Sequence, residues 1–212
     1  MLRASYIASL LKAEDTDSAE GPLVITPLPN LDDLEIDHSA SVDLRLGTWF
    51  RTTRARSHTV LDIYDEQNLD NPSEQSLSTA HYVPFGRKFI LHPGSFVLAV
   101  TLEWIRIPLD LAGQVTGKSS WARRGLIIET APGVHPGFTG CLTLELSNVG
   151  EIPIALVPGT KICQLFLHQL DESSEIADGS RYLGQRQPLI GRITLDDFAR
   201  KLSINSADRK DN

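Results

Sequence analysis

Cysteine, methionine, aromatic residues and long apolar runs are all scarce in this chain of 212 residues. Its two cysteines, Cys141 and Cys163, belong to no Cys-x-x-Cys pair, so a disulfide framework is not expected. No stretch approaches the run of about twenty apolar residues that a membrane span requires. The N-terminal MLRASYIASLLKAEDTD carries an apolar stripe but no small-residue cleavage signature, and reads as a first helix of a cytoplasmic protein, not a signal peptide. Basic charge is in deficit as well. Twenty Lys and Arg against 27 Asp and Glu leave a net charge of −7, so neither duplex nucleic acid nor an anionic membrane is an expected partner. Any phosphate site must therefore be local. None of the six histidines has Glu two residues on and no Pro-Cys-x-x-Cys occurs, which excludes zinc chemistry of the His-x-Glu, Pro-Cys-x-x-Cys type.

What is present suits one globular domain, with 41% hydrophobic and 22% charged residues. Residues 23 to 108 read as short strands between turn residues: LVITPLP, ASVDLRLGTWF, HTVLDI, KFILHPG and SFVLAVTLEWIRIP are rich in Val, Ile, Leu, Thr and aromatics. The polar DEQNLDNPSEQSLS, residues 65 to 78, reads as an exposed excursion. A second β-rich stretch spans 126 to 170, split by PGVHPG and by Val157-Pro158-Gly159. Many short strands without βα alternation favour a sandwich, jelly roll or barrel. Beyond Asp171 the chain turns polar, and TLDDFARKLS reads as a short helix with Thr194 as N-cap, followed by a frayed end.

Three segments carry chemistry. Gly117-Lys118-Ser119-Ser120-Trp121-Ala122-Arg123-Arg124-Gly125 groups close backbone approach, hydroxyls and guanidinium donors, an inventory that fits phosphate, although a solvated basic turn has the same composition. It is not a Walker motif, since Ala112 stands where the first glycine belongs. In Cys141 to Val149, period-2 alternation puts Leu142, Leu144 and Leu146 on one face and Thr143, Glu145 and Ser147 on the other. Glu145 is then either a solvent-facing strand residue or a carboxylate framed by hydroxyls. Between these segments, Ala131-Pro132-Gly133-Val134-His135-Pro136-Gly137 demands a defined turn, and its lone histidine is either structural or site-lining, as is Glu129.

The stretch GKSSWARRGLIIETAPGVHPGFTGCLTLELSNVGEIPIALVPGTKICQL resembles the core of the dCTP deaminases, which share a β-rich superfamily with the trimeric dUTPases. SVDLRLGTWFR, FILHPGSFVLAVTLEWIRIPLDLAG and RYLGQRQP agree in the same order, so the resemblance reaches to about Arg192. It implies a mainly β fold, a distorted jelly roll or β-barrel of the dUTPase-like type with a few short helices, assembled as a homotrimer with sites shared between subunits. It implies one domain over 1–192, with 171–192 a mobile segment closing over the nucleotide, and a short helix and polar tail over 193–212. Carried residue by residue, Gly117 to Arg123 would bind the nucleotide, with Lys118, Ser119 and Ser120 toward the triphosphate, Trp121 and Ala122 within the same segment, and Arg123 near the base or its water. Glu145 matches the catalytic carboxylate, with Thr143 and Leu144 beside the pyrimidine. Ser119 and the carbonyl of Ala131 would orient the attacking water, and Arg181 and Gln185 would reach phosphates. Magnesium would arrive with the triphosphate, no residue would hold a metal by itself, no zinc takes part, and dTTP is the implied inhibitor.

Hydrolytic deamination at C4 of cytosine needs one group that takes a proton from water and returns it at N3, and a single carboxylate suffices. Some positions depart from the family. His135 stands where an aspartate usually holds the deoxyribose hydroxyl and, in bifunctional relatives, helps place water for diphosphate cleavage; it argues against that second step. The segment from Arg123 to Thr130 is one residue short, with Glu129 near a common histidine position, and Ser174 and Glu175 occupy the region of an expected tyrosine. Lys118 replaces a common arginine and loses its two-pronged grip. Three functions therefore compete: a dCTP deaminase releasing dUTP and ammonia, a deaminase or dUTPase yielding dUMP, and a nucleotide-binding relative without catalysis.

Overall fold

The computed structural model describes residues 1–13, 21–36, 38–53, 78–128, 132–173 and 184–191. Among them are helices α1 (Ala4–Lys12), α2 (Leu31–Ile36) and α3 (Ser119–Ala122). The strands are β1 (Val24–Thr26), β2 (Ser41–Thr53), β3 (Ser78–Tyr82), β4 (Phe89–Leu91), β5 (Phe96–Arg106), β6 (Leu111–Gly117), β7 (Leu126–Ile128), β8 (Gly133–Val134), β9 (Thr139–Asn148), β10 (Ile154–Leu156) and β11 (Lys161–Gln169). The chain divides into two compact units, Met1–Thr52 with Ala80–Leu189, and Thr53–Thr79 with Ile190–Asn212. The principal sheet and the candidate site belong to the first.

The mainly β expectation holds. The principal sheet runs β7-β9-β5-β2-β11-β6-β8, with β1 added to β5, and β4 pairs β10 in a small second sheet. The pairings between these strands are antiparallel wherever their register is described. Central β5 is buried on both faces, which is why FVLAVTLEWIR reads as a continuous apolar run and not as an alternation. β9 keeps the clean alternation, burying Leu142, Leu144 and Leu146. Register shifts interrupt β2 on β5 between Leu46 and Phe50, and β5 on β9 between Val100 and Trp104, and such bulges bend and twist a sheet. Gly47 is required there, since a Cβ would lie 2.9 Å from the carbonyl oxygens of Val100 and Thr101.

α1 forms where expected, because Ala4, Ile7 and Ala8 fall on one helical face and are buried. The Leu2 N–H donates to the Leu167 carbonyl at 2.7 Å, seating the helix start on β11. α2 was not anticipated; LDDLEI is short and mostly acidic, and only Leu34 is buried. The turn at Val157-Pro158-Gly159 appears as expected, closed by Thr160 N–H on the Val157 carbonyl at 3.2 Å. The HTVLDI strand, most of the polar excursion at 65–78, residues 174–183 of the expected closing segment and the helix beginning at Thr194 lie outside the described residues.

Candidate functional site

β6 ends at Gly117 against β11, with Gly117 opposite Cys163, and the chain then turns into α3. A Cβ at Gly117 would come within 3.2 Å of Ile128, so glycine allows β7 to approach the end of β6. Lys118 anchors the turn twice. Its N–H donates to the Ile162 carbonyl at 3.1 Å, and its Nζ meets Asp43 Oδ1 at 2.5 Å. Lys161 reaches the other oxygen, Oδ2, at 3.2 Å. Burial pushes the Asp43 carboxyl up, but the hydrogen bonds and charges of Lys118 and Lys161 outweigh it and hold the group below its ordinary value. The Trp121 indole N–H donates to the Lys161 carbonyl at 3.0 Å, tying α3 to the same corner.

Asp43, Lys118 and Lys161 line a polar cleft of about 300 Å³, shared with Asn30, Asp33, Ser39, Arg45 and Gln164. Arg45 also turns inward: its N–H donates to Glu103 Oε2 at 2.8 Å and its Nη1 to Oε1 at 2.9 Å. Glu103 is 1% exposed. Burial raises its carboxyl above the usual glutamate range despite the opposing bonds and charge of Arg45. The sequence reading named neither Asp43 nor Lys161, nor the Arg45–Glu103 pair. The available signal was the alternation of Asp43 and Arg45 with buried Val42, Leu44 and Leu46 on β2.

On β9, Glu145 is half-buried on the polar face with Thr143 and Ser147, opposite the apolar face, in agreement with the alternation. The segment at 184–185 lies along the strand. Gly184 N–H donates to the Thr139 carbonyl at 2.6 Å, Cys141 N–H to the Gln185 carbonyl at 2.8 Å, and Gly140 pairs with Gln185 in parallel. The Gln185 amide Nε2 donates to the Cys141 carbonyl at 3.1 Å and to Thr143 Oγ1 at 3.0 Å. The carbonyl at Cys141 accepts only, so it fixes which end of the amide faces β9. Gln185 Oε1 is left buried with no partner among the described residues. Gln185, expected at the phosphates, is hydrogen-bonded to β9 at Cys141 and Thr143.

The two halves of the candidate site communicate through β7. Ile127 and Ile128 pair with Ser147 and Leu146, and Val149 N–H donates to the Gly125 carbonyl at 2.9 Å. Gly125 has φ +87°, and a Cβ there would lie 2.7 Å from Gly150 N, so the turn after Arg124 needs glycine. Ser119, Ser120, Ala122 and Arg123 are exposed, as is His135 at the turn closed by Phe138 N–H on its carbonyl at 3.1 Å. Leu144 points into the core, so only its backbone can meet a ligand. Ala131, Arg181 and Glu129 lie outside the described residues. Among the described residues no three His, Cys, Asp or Glu side chains converge on a metal position, and the Asp43 carboxylate is engaged by two lysines. That donor set does not form a protein magnesium site, and no step below runs through the metal.

A family model described as dCTP deaminase-like matches residues 11–170. The chain is 39% identical over 183 residues to a protein of Methanobrevibacter smithii named dCTP deaminase, dUMP-forming, covering 84% of this chain and 90% of that one. A protein of the same name from Dictyoglomus thermophilum is 38% identical over 187 residues, covering 86% and 92%. The crystal structure of 2′-deoxycytidine 5′-triphosphate deaminase from Agrobacterium tumefaciens matches with a TM-score of 0.54 at 22% identity over 78% of this chain. The chain spans about half of that structure's length, 47%, and the likeness is one of fold. With a mainly β sheet, an alternating β9 that carries Glu145 and a family match across most of its length, the chain belongs to the dCTP deaminase-like family.

Proposed function

We propose that the chain hydrolyses dCTP to deoxyuridine nucleotide and ammonia, and that it continues to dUMP and pyrophosphate. The observation that carries the first step is Glu145: a half-buried carboxylate on the polar face of β9, beside Thr143 and backed by buried Leu144 and Leu146. A carboxylate so placed is shielded from bulk water yet reachable by a ligand lying along the strand. Glu145 takes a proton from the attacking water, delivers it to N3 as the new C4–O bond forms, and passes the second proton to the departing amine. Ser119 and the Ala131 carbonyl orient that water, and Arg123 faces the base, so the nucleophile is held in line with C4. Lys118 and Ser120 face the triphosphate, and Arg181 closes from the C-terminal side. Any magnesium accompanies the phosphates and offsets their charge.

For the second step, the dUMP-forming name of both relatives favours the bifunctional reading over release of dUTP. His135 was expected to disfavour that step; in this reading it keeps only the contact to the deoxyribose hydroxyl. The exposure of Ser119 and Arg123 supports a homotrimer in which they complete the site on a neighbouring subunit. The reaction is cytoplasmic, and dTTP, which has the same triphosphate, competes for the site. Incubating the purified chain with dCTP and magnesium and resolving the products chromatographically tests the reading. The expected result is dUMP, pyrophosphate and ammonia in equal amounts. Accumulation of dUTP without pyrophosphate restores the one-step deaminase, and untouched dCTP overturns the enzyme.

A further inference from the structure

Lys118 and Lys161 are not idle cations waiting for a ligand. Both are held by one carboxylate, Asp43, each on its own oxygen. Asp43 and Lys118 are equally sheltered, at 25% exposure each, whereas Lys161 is 55% exposed. Two cations on one anion leave the trio one positive charge in excess. The neighbouring Arg45–Glu103 pair is neutral as a unit and Asp33 adds one carboxylate to the cleft lining, so an anion entering there depends on the two lysines for its attraction. The cleft, about 300 Å³ and lined by Asn30, Ser39 and Gln164 as well as the lysines, has the polarity and room for a phosphate group. Phosphate entering there competes with Asp43 for the charge of Lys118.

Resting on the reading that Lys118 meets the nucleotide's phosphates, we propose that Asp43 is an internal competitor for them, holding Lys118 and Lys161 in the unliganded protein and thereby setting the affinity for polyphosphate. Lys161 has the second place in this exchange. As Lys118 swings to phosphate, Lys161 stays on Oδ2 and keeps Asp43 from being left as a lone, partly buried anion beside the incoming charge. The persistent ionisation of Asp43, enforced by the two lysines, means the competitor is present throughout the neutral range. A device of this kind weakens ground-state binding of the phosphates and speeds release of a phosphate-bearing product.

The test uses inorganic triphosphate, without metal, and calorimetric binding to the full chain. Asp43→Asn keeps the shape and one acceptor for a lysine but removes the competing charge. Affinity is expected to rise about fivefold, the scale set by a part-exposed ion pair, while Asp43→Glu, which restores the charge, remains near wild type. Unchanged or weaker binding in Asp43→Asn overturns the proposal, as does absence of triphosphate binding to either protein. Should Asp43→Asn fail to fold, a structure of the wild-type chain with triphosphate decides: Lys118 Nζ on phosphate and away from Asp43 supports the exchange, and Lys118 still on Asp43 refutes it. Failure of the deaminase reading is separable, because it leaves dCTP unconverted while these binding measurements stand on their own.

Discussion

Replacing Arg45 by Met tests whether the buried corner behind the cleft works as an ion pair. Glu103 is 1% exposed and Arg45 31%, and the guanidinium Nη1 sits 2.9 Å from Oε1. Removing one partner of such a pair strands a charge, at a cost of about 3–5 kcal/mol. Because the backbone N–H at position 45 still meets Oε2 at 2.8 Å, the lower end applies, about 3 kcal/mol. Against a total stability of about 5–15 kcal/mol the chain should still fold. In urea its midpoint should fall by about 1 to 1.5 M at unchanged slope. The pH dependence supplies a second check. Burial raises the folded-state Glu103 carboxyl above its unfolded value, so the folded protein binds the proton more tightly. Stability from this group is therefore fully present below the ordinary glutamate range and falls as pH rises toward the raised folded value. Without Arg45 that value climbs further, so the deficit of Arg45→Met should shrink on acidification and grow toward neutrality. A deficit below about 1 kcal/mol, as for an exposed pair, or one that is flat with pH, refutes the reasoning.

Glu145→Gln should lower turnover of dCTP by at least about 10²-fold while calorimetric binding of dCTP persists; joint loss of binding and turnover would instead make Glu145 structural. If the site is shared between subunits, mixing inactive Glu145→Gln and Arg123→Ala chains under exchange should restore about a quarter of wild-type activity, since one in four random pairings joins two intact halves. No recovery would place both residues in one subunit's site. Gln185→Met keeps the bulk but removes both amide bonds to Cys141 and Thr143 together with the orphaned oxygen. Losing two bonds and one unsatisfied acceptor nearly cancels, to within about 1 kcal/mol, so the unfolding midpoint should barely move while KM for dCTP rises. A large fall in the midpoint with unchanged KM would make Gln185 a purely structural clasp.

Much of the site's chemistry was legible locally. The leucines of LTLEL mark one face of a strand by their spacing alone, so Glu145 and Thr143 had to share the other, and β9 bears this out. The turn residues at 157–159 and the first helix were equally readable, because each follows from conformational preferences of adjacent residues. α2 escaped notice because its six residues carry one buried side chain and no periodic stripe. Leu144 illustrates the divide: the pattern placed its side chain in the core, and the structure leaves only its backbone available to a ligand.

By itself, then, the sequence determined the β character of the chain, the polar face that presents Glu145 and the cation-rich turn from Lys118 to Arg123. Only the tertiary structure decided which charges are already spent. Asp43 and Lys118 are 75 residues apart and meet because β11 lies between β2 and β6. Gln185 reaches Thr143 across 42 residues because its segment adds to β9. Spacing along a strand is a local property of the backbone, whereas pairing of charges depends on which strands become neighbours, and that order emerges from packing the whole sheet.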